Sequence, residues 1–183
     1  QSLLKKLAKR ADVWVFQTDD ARQWYGDRVK KAVVIPNAIN EDFIRPVYQG
    51  ERRKVIVGAG RLSAQKNFAL LINAFADISD AFPDYHLEIY GEGDERSAME
   101  RLAKERGVAD RVTMPGYVSC LGEKIQDASL FILSSDFEGM PNALMEAMAL
   151  GLPCISTDCP VGGPKFLISH GENGLLVPTG DRN

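Results

Sequence analysis

The strongest constraint on the fold is a regular alternation of two kinds of segment between residues 55 and 178. Short, continuously apolar segments predict buried strands, and longer segments with apolar residues every three or four positions predict amphipathic helices. The predicted strands are residues 55–58, 85–90, 111–114, 130–133, 153–157 and 175–178. The predicted helices are residues 66–82, 94–106, 121–127, 141–150 and 163–169. This order predicts an α/β fold, in which a parallel sheet carries helices on both faces.

The first 53 residues lack this regularity. Strands are predicted at residues 13–16 and 31–35, and a short helix begins at Asp19 between them. The segment 36–53 contains Pro36, Pro46 and Gly50 and has no sustained period, which predicts a linker and a domain boundary. Residues 1–10 have the spacing of an amphipathic helix. Its basic face could contact anionic lipid, although a solvated surface explains four basic residues more simply.

Composition excludes several classes of function. The net charge of −3 gives no basic field for nucleic acid. No apolar run approaches the roughly 20 residues of a membrane span, and no signal peptide opens the sequence. The three cysteines, Cys120, Cys154 and Cys159, are scattered as in a reduced, cytoplasmic protein. No Asp-x-Asp follows a predicted strand, so we expect a site that requires no metal and no cofactor.

A pair of basic residues follows the predicted strand at 55–58. Gly58-Ala59-Gly60 resembles the start of a dinucleotide-binding fingerprint, but position 63 is Ser, so this signal is weak. Arg61 leaves the strand end, and Lys66 is predicted to open the next helix, where the helix dipole disfavours a cation. A bound anion would reverse that penalty. Two exposed basic side chains on a loop are an equally good explanation.

A second candidate for anion binding is the start of the helix predicted at 141–150. Pro141 suits the first helical position, and the free backbone N–H groups there favour anions. The residues concerned are Gly139, Met140, Pro141 and Asn142. One helix end contributes only about 0.3–1 kcal/mol. Together with Arg61 and Lys66, it could stabilise a leaving diphosphate without a metal.

Two carboxylates, Glu138 and Glu146, flank this helix start. Glu138 could cap the helix, or it could bond sugar hydroxyls and support positive charge at a reacting carbon. Glu146 could be a solvated helix residue, but its apolar neighbours argue against that, and a carboxylate suits the two hydroxyls of a ribose. A pair of glycosidase acids is the competing interpretation. The phosphate-type elements nearby make hydrolysis of a plain glycoside less suitable.

Over roughly residues 33–181 the sequence resembles the retaining GT-B enzymes of glycosyltransferase family 4. The motifs that carry the resemblance are Gly60-Arg61-Leu62 with Lys66-Asn67, Gly91-Glu92-Gly93, Pro115-Gly116-Tyr117-Val118 and the spaced pair Glu138 and Glu146. The segment 34–40 resembles the hinge between the two domains of the family, with Ala38 and Asn40 replacing the usual Gly and Asp. The resemblance implies transfer of a sugar, in the hexosyltransferase class, from a UDP- or GDP-sugar with retention of configuration.

The same resemblance implies a role for each motif residue. Arg61 and Lys66 grip the diphosphate, Glu138 contacts the donor sugar and Glu146 holds the ribose. The backbone near the helix start meets sugar and phosphate, and Gly60 belongs to the same donor site. Glu92 and Val118 lie near the base.

A GT-B enzyme has two Rossmann-like domains, which implies a division of this chain. Residues 1–35 would be a remnant of the acceptor domain, 36–53 the hinge, and 54–183 the donor domain, ending before its final helix. An acceptor glycan or lipid-linked sugar would then bind to the absent domain, with possible contact to the inner face of the membrane, and the isolated chain would bind donor without transferring it. A GT-B-fold UDP-sugar epimerase and a non-enzymatic nucleotide-binding module remain alternatives.

Overall fold

In the computed structural model, which describes residues 11–29 and 31–182, the six predicted strands after residue 53 form one parallel sheet. The helix predicted at 1–10 lies outside the described residues. The strands are β1 Trp14–Phe16, β2 Ala32–Val34, β3 Arg53–Ala59, β4 His86–Tyr90, β5 Val112–Gly116, β6 Ala128–Leu133, β7 Cys154–Thr157 and β8 Leu175–Val177. The α-helices are α1 Asp19–Tyr25, α2 Phe68–Ile78, α3 Arg96–Glu105, α4 Leu121–Ile125, α5 Asn142–Ala149 and α6 Gly163–Leu167.

The order of the strands in the large sheet is β5-β4-β3-β6-β7-β8. All of the neighbouring strands run parallel, and Ile56 of β3 pairs with Leu87 of β4 on one side and Leu130 of β6 on the other. The chain moves outward from β3 to β5 and then crosses back to β6, so the strand order reverses between β3 and β6. At such a reversal the loops on either side separate, which leaves a crevice at the carboxyl ends of the strands.

Helices cover both faces of this sheet because successive side chains of each strand point in opposite directions. Val57 packs in one apolar cluster with Leu144 of α5, whereas the adjacent Ile56 packs in a second cluster with Ile72 of α2. Both clusters consist of residues that are almost completely buried. The predicted α/β fold with a Rossmann-like parallel sheet is therefore confirmed.

Three helix starts differ from the prediction, and the simplest case is α3, which begins at Arg96 rather than at residue 94. Lys66 ends a 3-10 turn, Ala64–Lys66, and α2 begins only at Phe68. The reason is Asn67, which has a positive φ of 43° and whose side chain accepts a hydrogen bond from Leu70 N. The prediction that Lys66 opens the helix was therefore wrong, and with it the dipole penalty assigned to this residue. Similarly, α5 begins at Asn142, and Pro141 precedes its first turn.

The first part of the described chain forms a separate two-stranded parallel sheet, β1 with β2, and α1 lies between them in sequence. The segment predicted as a linker contains the 3-10 turn Glu41–Phe43. Phe43 is buried in the same cluster as Val57, so this segment packs on the large sheet along part of its length. In the described residues no helix is long and apolar enough to cross a membrane.

Candidate donor-binding cleft

A cleft of about 710 Å³ lies at the carboxyl ends of β3, β4 and β6, where the strand order reverses. All of the site residues predicted from the sequence line it, except Gly139. Those residues are Gly60, Arg61, Lys66, Glu92, Val118, Glu138, Met140, Pro141, Asn142 and Glu146. The positions were predicted from four separate motifs spread over 87 residues of the chain, from Gly60 to Glu146. Their meeting in one cavity is the central observation about this site.

Close contact between loops forms the floor of the cleft. Gly60 N donates a hydrogen bond to Tyr90 O at 2.9 Å, and Gly91 N donates to Gly116 O at 2.9 Å. A Cβ atom at Gly91 would overlap the carbonyl group of Gly60, so only glycine permits this approach. Arg61 follows directly and has an exposed side chain with no ion-pair partner among the described residues. Its guanidinium is therefore available to an anion in the cleft.

Lys66 and Glu138 form an ion pair inside the cleft. Lys66 Nζ lies 2.5 Å from Glu138 Oε1, and the side chains are 17% and 8% exposed. Ser135 Oγ donates a second hydrogen bond, at 2.7 Å, to the same carboxylate oxygen. An ammonium has three N–H donors, so two remain on Lys66 for another ligand. Glu138 does not cap α5, since that helix start has no side-chain cap.

The two loops that carry this ion pair are joined by further hydrogen bonds. Asn67 Nδ2 donates to Asp136 Oδ1 at 2.9 Å, and Gln65 Nε2 donates to Phe137 O at 2.9 Å. Asp136 N in turn donates to Gln65 O at 2.9 Å. These contacts join the loop after β3 to the loop after β6, so they hold the ammonium and the carboxylate in one geometry before any ligand binds.

Glu146 lies one turn inside α5, four residues after Asn142 on the same side of the helix. It is half-buried, and burial raises the pKa of its carboxyl group above the ordinary value. Its carboxylate has no hydrogen-bond or ion-pair partner in the described part of the chain. A half-buried acceptor without a partner suits a ligand that brings hydroxyl donors.

The backbone at the start of α5 already has one partner. Met140 N donates a hydrogen bond to Gln17 Oε1 at 3.2 Å, and Asn142 Oδ1 accepts one from Asn37 Nδ2 at 2.7 Å. Gly139 does not line the cleft, because its carbonyl group faces the start of α6, where a Cβ atom at Gly163 would overlap it. The prediction that Gly139 lines the site is corrected in this respect.

Several lining residues were not predicted as site residues, although Gly91 and Tyr117 stand in motifs that carry the family resemblance. They are Ala59, Tyr90, Gly91, Tyr117, Leu121 and Ala143. Two of them, Ala59 and Tyr90, are the last residues of β3 and β4, so the rule that ligands bind at carboxyl ends could have identified them. Gln17 and Asn37 do not line the cleft, and their contacts with Met140 and Asn142 were not predicted, because nothing in the sequence indicates that the loops after β1 and β2 contact this segment. Among the described residues no group of three or more His, Cys, Asp or Glu side chains could hold a metal ion.

Residues 40–183 match the family model described as glycosyl transferases group 1. The chain belongs to this family. The match covers the whole large sheet and the cleft at its carboxyl ends. The resemblance inferred from the sequence motifs is confirmed at this level, and the family accounts for the fold class as well.

Individual relatives agree with this assignment. Over 95% of its length this chain is 38% identical to an exopolysaccharide phosphotransferase of Streptomyces coelicolor, and it spans 19% of that protein. It is 33% identical, over 75% of its length, to a lipopolysaccharide 1,6-galactosyltransferase of Salmonella typhimurium, and it spans 39% of that enzyme. The chain thus corresponds to well under half of the length of these relatives.

Solved structures give the same result. The pneumococcal O-GlcNAc transferase GtfA, in a crystal structure with UDP and GlcNAc, superimposes with a TM-score of 0.83 at 26% identity. The superposition covers 96% of this chain and 36% of that one. The fold is that of GT-B glycosyltransferases, and the described sheet corresponds to one part of such an enzyme.

Proposed function

We propose that this chain binds a nucleotide-diphospho-sugar for a retaining glycosyltransferase. One observation carries the proposal: two basic residues, a helix start and two carboxylates, predicted separately, line a single cleft at the reversal of strand order. The group 1 family assignment supports transfer of a sugar. The structure of GtfA with UDP and GlcNAc supports a UDP-sugar as the first donor to test, and a GDP-sugar as the second.

Arg61 and Lys66 bind the diphosphate. Arg61 offers a planar fork to two phosphate oxygens, and Lys66 offers the two N–H donors that its contact with Glu138 leaves free. The N–H groups at the start of α5 add partial positive charge from the same side. Because charges about 4 Å apart interact by several kcal/mol at an effective dielectric near 20, this set can stabilise a leaving diphosphate. No metal ion or other cofactor is required.

Glu138 contacts the donor sugar. Its Oε1 atom accepts hydrogen bonds from Lys66 and Ser135, which leaves the second carboxylate oxygen for a sugar hydroxyl or for positive charge at the anomeric carbon. Glu146 accepts the two ribose hydroxyls, and Glu92 and Val118 lie beside the base. In the reaction the bond from the anomeric carbon to the diphosphate oxygen breaks, and the acceptor hydroxyl oxygen bonds to that carbon on the same face. The hydroxyl proton passes to the departing diphosphate, and nucleoside diphosphate leaves.

The whole protein supplies the acceptor site. We assign residues 1–35 to the acceptor domain, 36–53 to the hinge and 54–183 to the donor domain, in accordance with the separate β1–β2 sheet. An acceptor glycan or lipid-linked sugar then binds outside the described cleft, on the cytoplasmic side of the membrane. The isolated chain binds donor and does not transfer sugar.

Calorimetry with UDP and GDP tests the donor site. We expect binding of at least one nucleotide, with an affinity that a metal chelator does not change. If neither nucleotide binds with a dissociation constant below millimolar at low salt, the proposal is refuted.

Lys66→Ala is expected to weaken binding by about 1–3 kcal/mol. Glu146→Ala should weaken ribonucleotide binding more than deoxyribonucleotide binding. A thermal-shift panel of nucleotide sugars identifies the donor, since ligand at 100 times its dissociation constant adds about 2.7 kcal/mol of stability.

The name of the Streptomyces relative favours a second candidate, transfer of a sugar phosphate. The two reactions break different bonds of the same donor. Glycosyl transfer releases a nucleoside diphosphate, whereas phosphoglycosyl transfer joins the acceptor oxygen to the phosphorus that carries the sugar, breaks the bond from that phosphorus to the bridging oxygen and releases a nucleoside monophosphate. Chromatography of the nucleotide product of the full-length protein therefore separates them. Formation of an epimerised nucleotide sugar would indicate the epimerase, and nucleotide binding without any product would indicate a binding module.

A further inference from the structure

Three amide side chains form a hydrogen-bonded relay between the small sheet and the start of α5. Gln17 Oε1 accepts from Met140 N at 3.2 Å, and Gln17 Nε2 donates to Asn37 Oδ1 at 2.6 Å. Asn37 Nδ2 then donates to Asn142 Oδ1 at 2.7 Å. Gln17 follows β1 and Asn37 follows β2, so both lie at carboxyl ends of the small sheet.

The direction of this relay is fixed by its backbone end. A backbone N–H can only donate, so the Gln17 atom that faces Met140 N is the carbonyl oxygen of the carboxamide. The amide nitrogen of Gln17 must then face Asn37, which orients that side chain in turn. Gln17 therefore presents an acceptor oxygen to the N–H group at the helix start.

We propose that the Gln17 oxygen occupies the position in which an oxygen of the nucleotide diphosphate accepts a hydrogen bond from Met140 N–H. The diphosphate displaces the Gln17 oxygen when the nucleotide sugar binds. This inference rests on the proposed function, because that function assigns the N–H groups near α5 to the donor. Gln17 is a positioning residue. It accepts the hydrogen bond of Met140 N–H in the free protein, and this hydrogen bond must break before the diphosphate can accept from the same N–H.

The strengths of the two contacts determine the direction of exchange. Gln17 is exposed and its oxygen is neutral, so its bond with Met140 N competes with water and is weak. A phosphate oxygen is charged and bonds the same N–H more strongly. The oxygen of Gln17 also lies only 2.7 Å from the position that a Cβ atom at Gly139 would take, so the carboxamide packs against the backbone directly before Met140.

Two substitutions of Gln17 should have opposite effects on UDP affinity. Gln17→Ala removes the competing oxygen, and we expect UDP to bind about threefold to tenfold more tightly. Gln17→Glu places a carboxylate at the same N–H and repels the diphosphate, and we expect UDP to bind about tenfold more weakly at low salt. Salt should reduce the second effect. Asn37→Ala, which removes the support of Gln17, should shift UDP affinity in the same direction as Gln17→Ala.

Uridine, which lacks phosphate, is the matched ligand, and Gln49→Glu is the matched variant. Gln49 is exposed and, among the described residues, its side chain hydrogen-bonds to Val47 O; its substitution by Glu adds the same charge outside the cleft. Uridine affinity should be equal in all variants, and Gln49→Glu should match the wild type for UDP. Unchanged or weaker UDP binding by Gln17→Ala overturns the inference while leaving the donor site intact. Failure of the wild type to bind either UDP or GDP overturns the proposed function itself.

Discussion

The two sheets of the molecule differ in how far they bury their own side chains. In the large sheet Val57 and Phe131 are 0% exposed, and helices cover both faces. In the small sheet Val15 is 59% exposed and Val33 is 43% exposed, although both lie in regular strands. Apolar side chains of this size contribute free energy only when they leave water. The large sheet therefore holds the described fold together, whereas the small one contributes contacts at its edge.

The two sheets also contribute different kinds of contact around the cleft. The ion pair of Lys66 with Glu138 lies on loops between strands of the large sheet, joined by several hydrogen bonds. The contacts of Gln17 and Asn37 come from the loops after β1 and β2, and on the side of these two residues they use side-chain atoms alone. The charged groups of the cleft are thus held in place without a ligand, and the neutral amides beside them make contacts that a ligand could replace at little cost.

The largest expected effect tests the difference in burial between the two sheets. Phe131→Ala should lower the free energy of unfolding by about 3–5 kcal/mol, because the cavity lies between strands and helices that cannot collapse into it. Val15→Thr, on the exposed face of β1, should change it by less than about 0.5 kcal/mol. Urea denaturation of both variants measures the difference. Comparable losses of unfolding free energy in the two variants would show that the small sheet buries this face in solution. If Phe131→Ala does not fold, Val57→Ala is a milder substitution in the same core.

The next effect compares two ion pairs of similar length. Lys66 Nζ lies 2.5 Å from Glu138 and Lys54 Nζ lies 2.7 Å from Asp84, but only the first pair is mostly buried. Lys66→Ala leaves a buried carboxylate without its cation and should cost about 3 kcal/mol of stability, the lower end of the range for buried pairs, because Lys66 is 17% exposed. Lys54→Ala should leave the midpoint of denaturation unchanged, because solvent screens an exposed pair. Equal effects from both substitutions would contradict the buried character of the cleft pair.

Much of the large sheet was predictable from sequence because its signals are local. A continuous apolar strand such as residues 130–133 and a helix such as 141–150 each carry their own periodicity, and parallel order follows from their alternation. Helix starts were less predictable. The left-handed conformation of Asn67 moves the start of α2, and a side-chain cap of this kind depends on a single residue rather than on a period.

Some features of the cleft could likewise be predicted from the sequence, and others could not. Residues at strand ends, such as Arg61 and Glu138, could be identified because their position in a parallel sheet is fixed by topology. Their pairing could not, since the contact between Lys66 and Glu138 joins residues 72 positions apart. Gln17 is harder still, because it contacts Met140 from 123 positions away and from another sheet. Sequence periodicity contains no information about such a contact.

A smaller effect concerns the junction between the two sheets. Thr18 is 1% exposed; its hydroxyl donates to Val161 O at 2.9 Å and accepts from Ala21 N at 3.1 Å. Thr18→Ala should therefore cost about 1–2 kcal/mol, from the lost helix cap and an unpaired carbonyl. Thr18→Ser keeps the hydroxyl and should recover most of this stability in the same denaturation assay. No loss in Thr18→Ala would mean that the junction is wet and contributes little.

The smallest effect separates stability from binding at Glu146. Burial raises the pKa of this carboxyl group in the folded protein, so the ionised form opposes folding at neutral pH. Glu146→Gln should then raise stability slightly at pH 7, and the gain should vanish well below the unfolded value of about 4.3, where both states hold the proton. Solvent screening keeps the effect small for a half-exposed group.

The same substitution should weaken binding of a ribonucleotide, since it removes the charge of the acceptor that we propose for the two ribose hydroxyls. Denaturation at the two pH values and calorimetry at pH 7 measure the opposing changes. A variant that gains stability and loses affinity is the pattern expected of a residue kept for function at the expense of the fold. Lower stability of Glu146→Gln than of the wild type at pH 7 would contradict this interpretation, because it would mean that the ionised carboxylate favours folding.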